Sequence, residues 1–197
     1  MRAVVVYESM YGNTHMIAEA IGRGLAPGNQ VTVVPVAGAT RELLAEADLV
    51  VVGGPTHLHG MSKTATRKAA VEQAHKHEGP PALDADAEGL GLSDWFGSLG
   101  PLSAGAAAFD TRIASAAILT GRAAKGIARL LERHGLTLIA PAESFLVSSD
   151  KLQAGEEDRA QEWGKELAAK VPAMQVRSRW ALMMSRWRWS KLPASAA

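Results

Sequence analysis

Hydrophobic and polar positions along the chain alternate between two periods, and the alternation predicts an α/β protein. Val4-Val5-Val6-Tyr7 is a β-branched run cut off by Glu8 and Ser9; the chain then turns at Gly12-Asn13 into a helical pattern. Ile17, Ile21 and Leu25 recur at helical spacing, with Ala18 and Gly24 beside them and Glu19 and Arg23 on the opposite side. Gln30 to Val36 reads as a second strand and Arg41 to Glu46 as a short helical connection. Leu49-Val50-Val51-Val52 is a continuous apolar run, expected of a third strand buried on both faces and ending at Gly53. Ala106 to Thr111 predicts a fourth strand, and Thr120 to His134 a helix capped by Thr120 and stopped by Gly135. Leu136 to Val147 holds a fifth strand that Pro141 kinks or places at an edge, and Glu156 to Val171 a last helix with Trp163 and Leu167 toward the sheet. Five strands alternating with helices make a doubly wound parallel sheet.

Two stretches break this rhythm. Ser62 to Lys76 is polar and helix-compatible. Residues 77–103 are broken by Gly79-Pro80-Pro81, Gly89, Gly91, Gly97 and Gly100-Pro101 and read as an insertion, within which Leu90 to Leu99 predicts a short helix. Trp95 there either covers a ligand edge or, the favoured reading, tacks the long segment onto the body.

The chemistry gathers where strands end. At the start of the first helix the leading N–H groups have no intrahelical partner and the macrodipole is positive, so a phosphate fits, with Ser9, Tyr11, Asn13 and Thr14 adding donors. No Lys or Arg lies in this loop, so an anion there would be held by neutral donors. A nucleoside-triphosphatase loop ending in Lys-Ser/Thr is absent, as is the glycine fingerprint of dinucleotide binders, and a receiver domain would want a lone Asp where Gly53-Gly54-Pro55 stands. The second loop, Gly53-Gly54-Pro55-Thr56-His57-Leu58-His59-Gly60, is expected to let backbone approach a ligand outside the strand ends. His57 and His59 do not have the spacing of a helical chelate and no third ligand matches them, so no metal is expected; His15, His75, His77 and His134 have ordinary surface explanations.

Ser9, Gly12 and Thr14 resemble the phosphate loop of the flavodoxin-like superfamily, commonly Ser/Thr-x-Thr-Gly-x-Thr, with Tyr11 in place of the middle Thr. That substitution is also typical of tryptophan-repressor-binding-protein type quinone reductases and of the flavodoxin domains of flavo-diiron proteins. Gly-Gly-Pro-Thr-His likewise resembles the second loop of many flavodoxin-like oxidoreductases. The resemblance covers about residues 1–171 and implies strand order 2-1-3-4-5 and FMN as cofactor. It implies that Ser9, Met10, Tyr11, Gly12, Asn13 and Thr14 hold the phosphate, that Pro55, Thr56, His57, His59 and Gly60 approach the ribityl chain and ring, and that Phe109, Asp110, Thr111 and Arg112 form a third contact after the fourth strand. His57 stands where carrier flavodoxins often place a stacking Trp. Arg112 either favours the reduced flavin or pairs with Asp110 at the surface. Two roles compete: an electron carrier docking a redox partner protein, and an NAD(P)H-dependent reductase of a quinone-like acceptor. A flavin-free interaction module on the same fold is the alternative.

Composition narrows the chemistry further. With 197 residues and 47% hydrophobic content the chain suits one domain, and zero cysteines exclude disulfides, thiolate-held iron–sulfur clusters and Cys nucleophiles, so redox chemistry must come from an organic cofactor. The formal charge of +1 hides an asymmetry: from Ala173 onward there are five basic residues and no acid, leaving 16 basic against 20 acidic residues in the body, net −4. In this tail, 172–197, Val176, Trp180, Met183, Met184 and Trp187 fall on one helical face, the pattern of a basic amphipathic helix for a membrane surface, a partner or self-association, or one folded back on the body. Nucleic acid is a poor fit, because the acidic body opposes approach to phosphates. No apolar run approaches the ~20 residues of a membrane span, and a cytoplasmic protein is expected.

Overall fold

The computed structural model describes residues 1–57, 60–61, 83–84, 87, 89–114, 121–148 and 151–171, with the backbone alone at 57, 60 and 61. The expected helix at Ser62 to Lys76, Thr120 and the whole tail lie outside the described residues.

Strand β1 (Arg2–Tyr7) lies one in from the edge of a sheet, parallel to the edge strand β2 (Gln30–Pro35) on one side and β3 (Leu49–His57) on the other. Beyond β3 lies β5 (Gly105–Ile113), then β7 (Glu143–Ser148), both parallel, and β8 (Lys151–Leu152) closes that edge as an antiparallel hairpin partner. The five long strands therefore run β2-β1-β3-β5-β7, which is 2-1-3-4-5 when these five alone are numbered, with β4 (Gly60–Met61) pairing back on β3 and β6 (Thr137–Leu138) pairing with the start of β5. The expected fifth strand is thus two pieces on the same neighbour, β6 on Gly105 and Ala106 and β7 on Phe109 to Ile113, interrupted at 139–142, where Pro141 can donate no ladder bond.

Alternation along the strands builds two cores. Val5, Tyr7, Val51, Phe109 and Phe145 face helix α1 (Asn13–Leu25) and the last helix, α5 (156–171), which contributes Trp163 and Leu167. Val4, Val6, Val50, Val52 and Ala108 face α2 (Arg41–Ala45), α3 (Leu92–Ser98) and α4 (Ala123–Arg133), which bring Leu44, Trp95, Phe96, Ile127 and Leu131. Trp95 is buried and its indole N–H donates to the Ala39 carbonyl at 3.1 Å, so it fastens α3 to the body.

Several boundaries differ from the sequence expectation. β3 continues through Gly53-Gly54-Pro55-Thr56 to His57 instead of ending at Gly53, and β5 runs to Ile113, so Arg112 lies within the strand instead of after it. The two glycines serve packing: a Cβ on Gly53 would collide with the Phe109 ring, and one on Gly54 would lie 2.6 Å from Leu92 Cδ1. Pro55 is tolerated because β1 stops pairing at Gly53, leaving β5 as the parallel neighbour at that point. α4 begins at Ala123 with Arg122 at its N-cap and no side-chain cap from it, three residues later than the sequence expectation. Arg159 joins α5 to β7: its guanidinium bonds Glu156, Glu143 and the Ser144 carbonyl and lies 4.4 Å over the Phe145 ring. Burial works to lower the pKa of Arg159, but hydrogen bonds and charge from Glu156 and Glu143 prevail and raise it.

Candidate functional site

All the parallel strands point their C-terminal ends the same way, and α1 starts there. Gly12 takes the left-handed conformation, φ 84°, as the N-cap, and a Cβ built on it meets nothing within 4 Å, so the space in front of the helix start is open. Gly12 at the N-cap has no side chain to cap α1, and the first turn of the helix holds no acid. The Ser9 hydroxyl, buried, accepts the Gly12 N–H at 3.1 Å, which leaves its own hydrogen to donate. Thr14, also buried, shares a 2.8 Å hydroxyl–hydroxyl hydrogen bond with Thr111 of β5. If Thr111 donates, Thr14 keeps a hydrogen for a ligand. Neutral donors, a helix start with glycine at its N-cap and no cation in residues 9–14 suit a phosphate ester. Tyr11 and Asn13 are half-buried on this loop, whereas Met10 is buried and its carbonyl accepts the Asp84 N–H at 2.9 Å.

Other expected contacts are placed differently. Thr56 is occupied: its hydroxyl donates to Asp110 Oδ2 at 3.0 Å and accepts the Ala123 N–H at 3.0 Å. Asp110 Oδ2 also accepts the Ala124 N–H at 2.8 Å, so a wholly buried carboxylate and a hydroxyl together cap α4, where the helix dipole favours negative charge. That corrects the reading of Asp110 as a surface partner for Arg112. Asp110 Oδ1 has no hydrogen-bond partner. Phe109 has no exposed surface and packs edge-on against Phe145, so it belongs to the core and not to a ligand-facing loop. Pro55 pairs with Thr111 across the ladder, and the His57 and Gly60 backbones pair with each other; His59 lies outside the described residues. Arg112 is half-buried, with one guanidinium N–H donating to the Ile113 carbonyl at 3.3 Å.

The structure brings in groups that sequence reading passed over. Glu8, taken as the residue that ends β1, is buried, and its carboxylate accepts the Leu92 N–H at 2.7 Å, tying the loop's entrance to α3. His15, expected to be an ordinary surface residue, stacks on Tyr7 with ring centroids 4.4 Å apart and faces Asp84. An acid closing an apolar strand beside a hydroxyl was the one signal available for Glu8; Asp84 gave none. Among the described residues no group of three or more His, Cys, Asp or Glu could hold a metal.

The flavodoxin family model matches residues 5–97, spanning β1, the loop, α1 and β3. The chain is flavodoxin-like. The solved structures it resembles include a flavodoxin from the domain Archaea, with 25% identity, TM-score 0.60, and 87% of this chain and 99% of that one covered. They also include Flavodoxin 1 from Bacillus cereus (18% identity, TM-score 0.56, 84% and 96% covered) and a flavodoxin, WrbA-like protein from Agrobacterium tumefaciens (20% identity, TM-score 0.53, 87% and 98% covered); at these identities the likeness is one of fold. No curated protein matches the chain. Flavodoxins are FMN-binding proteins, and FMN is the cofactor of this flavodoxin-like chain, with redox and electron transfer as its general chemistry. The donor set at the start of α1 fits the phosphate of that cofactor.

Proposed function

We propose that this flavodoxin-like protein holds FMN by its phosphate at Ser9, Gly12, Asn13 and Thr14 and uses it to reduce a quinone-like acceptor with electrons from NAD(P)H. The observation that carries the cofactor site is the open, glycine-capped start of α1 beside the Ser9 and Thr14 hydroxyls. When bound, FMN supplies the electron chemistry; the chain supplies binding, orientation and the surrounding charge. Pro55, His57 and Gly60 at the end of β3 and in β4, and Arg112 near the end of β5, are the residues proposed to lie toward the ring. The reductase role is favoured over a carrier by Gly53 to Gly60, a stretch without Trp or Tyr to stack on the ring and keep small substrates off it.

The first test titrates apoprotein with FMN and riboflavin, followed by flavin fluorescence. FMN binds at least about tenfold tighter if charge-assisted hydrogen bonds hold the phosphate; equal affinities, or none, would sink the site and leave a flavin-free interaction module. Anaerobic NADPH is then added with and without a benzoquinone. Bleaching of the flavin spectrum by NADPH and its return on adding quinone support the reductase, and a spectrum indifferent to NADPH supports a carrier docking a redox partner.

A further inference from the structure

We propose that His15 is a positioning residue for the phosphate loop and that, through it, binding of FMN phosphate takes up a proton; this rests on the cofactor site proposed above. His15 is the third residue of α1, next to Thr14. One face of its ring stacks on the buried Tyr7 at the end of β1. Its two nitrogens look toward carboxylates: Nδ1 is 3.4 Å from Asp84 Oδ2, and Nε2 is 3.9 Å from Glu19 Oε1, one turn further along α1. Asp84 comes from a separate segment. Its side chain is only 6% exposed, and Oδ2 has no hydrogen bond. Its backbone N–H is on the Met10 carbonyl, so Asp84 touches the loop at both ends, at Met10 through the main chain and at His15 through the carboxylate.

The charges explain why the proton matters. A buried carboxylate facing a neutral imidazole is uncompensated, whereas facing an imidazolium it is paired. Residues 9–14 carry no cation, while Glu8, Asp84 and Asp110 are buried acids around the strand ends. A phosphate arriving at the start of α1 adds negative charge to this surround, and the His15 imidazole, next to Thr14 and facing two carboxylates, is placed to offset it by taking a proton. The groups facing the imidazole among the described residues are Tyr7 from β1, Glu19 from α1 and Asp84 from the 83–84 segment; none is a cation.

The sign follows from linkage. If the phosphate favours the imidazolium, affinity falls as pH rises through the histidine range, between about pH 5 and 8. The second ionisation of the phosphate, near pH 6, works the other way but equally in every variant, so the ratio of wild type to His15→Gln isolates the effect. The experiment measures FMN affinity of the full chain across that range, with calorimetry in two buffers of different ionisation heat to count protons. Wild type is expected to lose about tenfold affinity relative to His15→Gln between the ends of the range, and to take up more protons on binding. Asp84→Asn, which keeps the main-chain bond to Met10, is expected to reduce the uptake as well. Riboflavin, which lacks the phosphate, is expected to show none. Parallel pH profiles and equal proton counts in wild type and both variants would overturn the role of His15 while leaving the cofactor site standing. Absence of FMN binding by any of them at any pH would overturn the site and this proposal with it.

Discussion

A single hydroxyl, that of Thr14, has two tasks at the residue scale, and they can be pulled apart. It bonds Thr111 across 2.8 Å inside the protein, linking α1 to β5, and it stands in the first turn of the helix whose start is proposed to hold the phosphate. Thr14→Ala is expected to weaken FMN by roughly ten- to a hundredfold, the worth of one hydrogen bond to a charged group, about 1.5–3 kcal/mol. Thr111→Val removes the internal bond and nothing else at the loop; it is expected to cost about 1 kcal/mol in urea unfolding and to leave FMN affinity within about threefold. Equal losses of affinity in the two variants would mean that Thr14 acts only by holding the helix. Sequence shows this loop well, because a strand, a hydroxyl, a glycine turn and a helix start are all local. It does not show what Gly53 and Gly54 are for. Both read as room for a ligand, yet their Cβ positions are filled by Phe109 and Leu92, partners brought there only by the fold.

At the scale of elements, periodicity found every long strand and helix among the described residues, since each apolar stripe is the face that a two-sided sheet must cover. It missed where strands end, because Gly-Gly-Pro and the run past Thr111 look like loops until a neighbouring strand is there to pair with. It also missed how helices touch. α1 and α5 approach so closely at Gly24 and Gly164 that a Cβ on Gly164 would meet the Ile21 carbonyl and lie 3.1 Å from the Gly24 Cα. Gly164→Ala gains about 1 kcal/mol of helix propensity, but the added methyl meets backbone, which yields less readily than a side chain. The expected result is a net loss of about 1–3 kcal/mol in urea unfolding. FMN affinity would weaken alongside, as α1 carries the phosphate loop. A variant as stable as wild type would show that the two helices can part without strain.

The whole molecule has a polarity that bears on the tail. α5 runs back along β7: Glu156 at its start bonds the Leu146 N–H, and Arg159, one turn on, reaches Ser144 and Glu143. Its last described residue, Val171, is therefore carried toward the end where the strands begin, opposite to the loop of residues 9–14. Val171 thus lies far from the phosphate site; residues 172–197, which follow it in sequence and lie outside the described residues, carry five basic residues and no acid against a body of net −4. No described helix is long and apolar enough to cross a membrane. A chain ended after Pro172 is accordingly expected to keep its FMN affinity within about twofold, because no donor proposed for the phosphate is removed and the core contacts of Trp163, Leu167 and Val171 stay in place. Its binding to anionic vesicles, or its sedimentation, is expected to change, since about 1 kcal/mol of attraction to an anionic surface goes with each basic residue removed. FMN affinity is the deciding measurement. If truncation abolishes it, the tail reaches around to the far end of the sheet and completes the site.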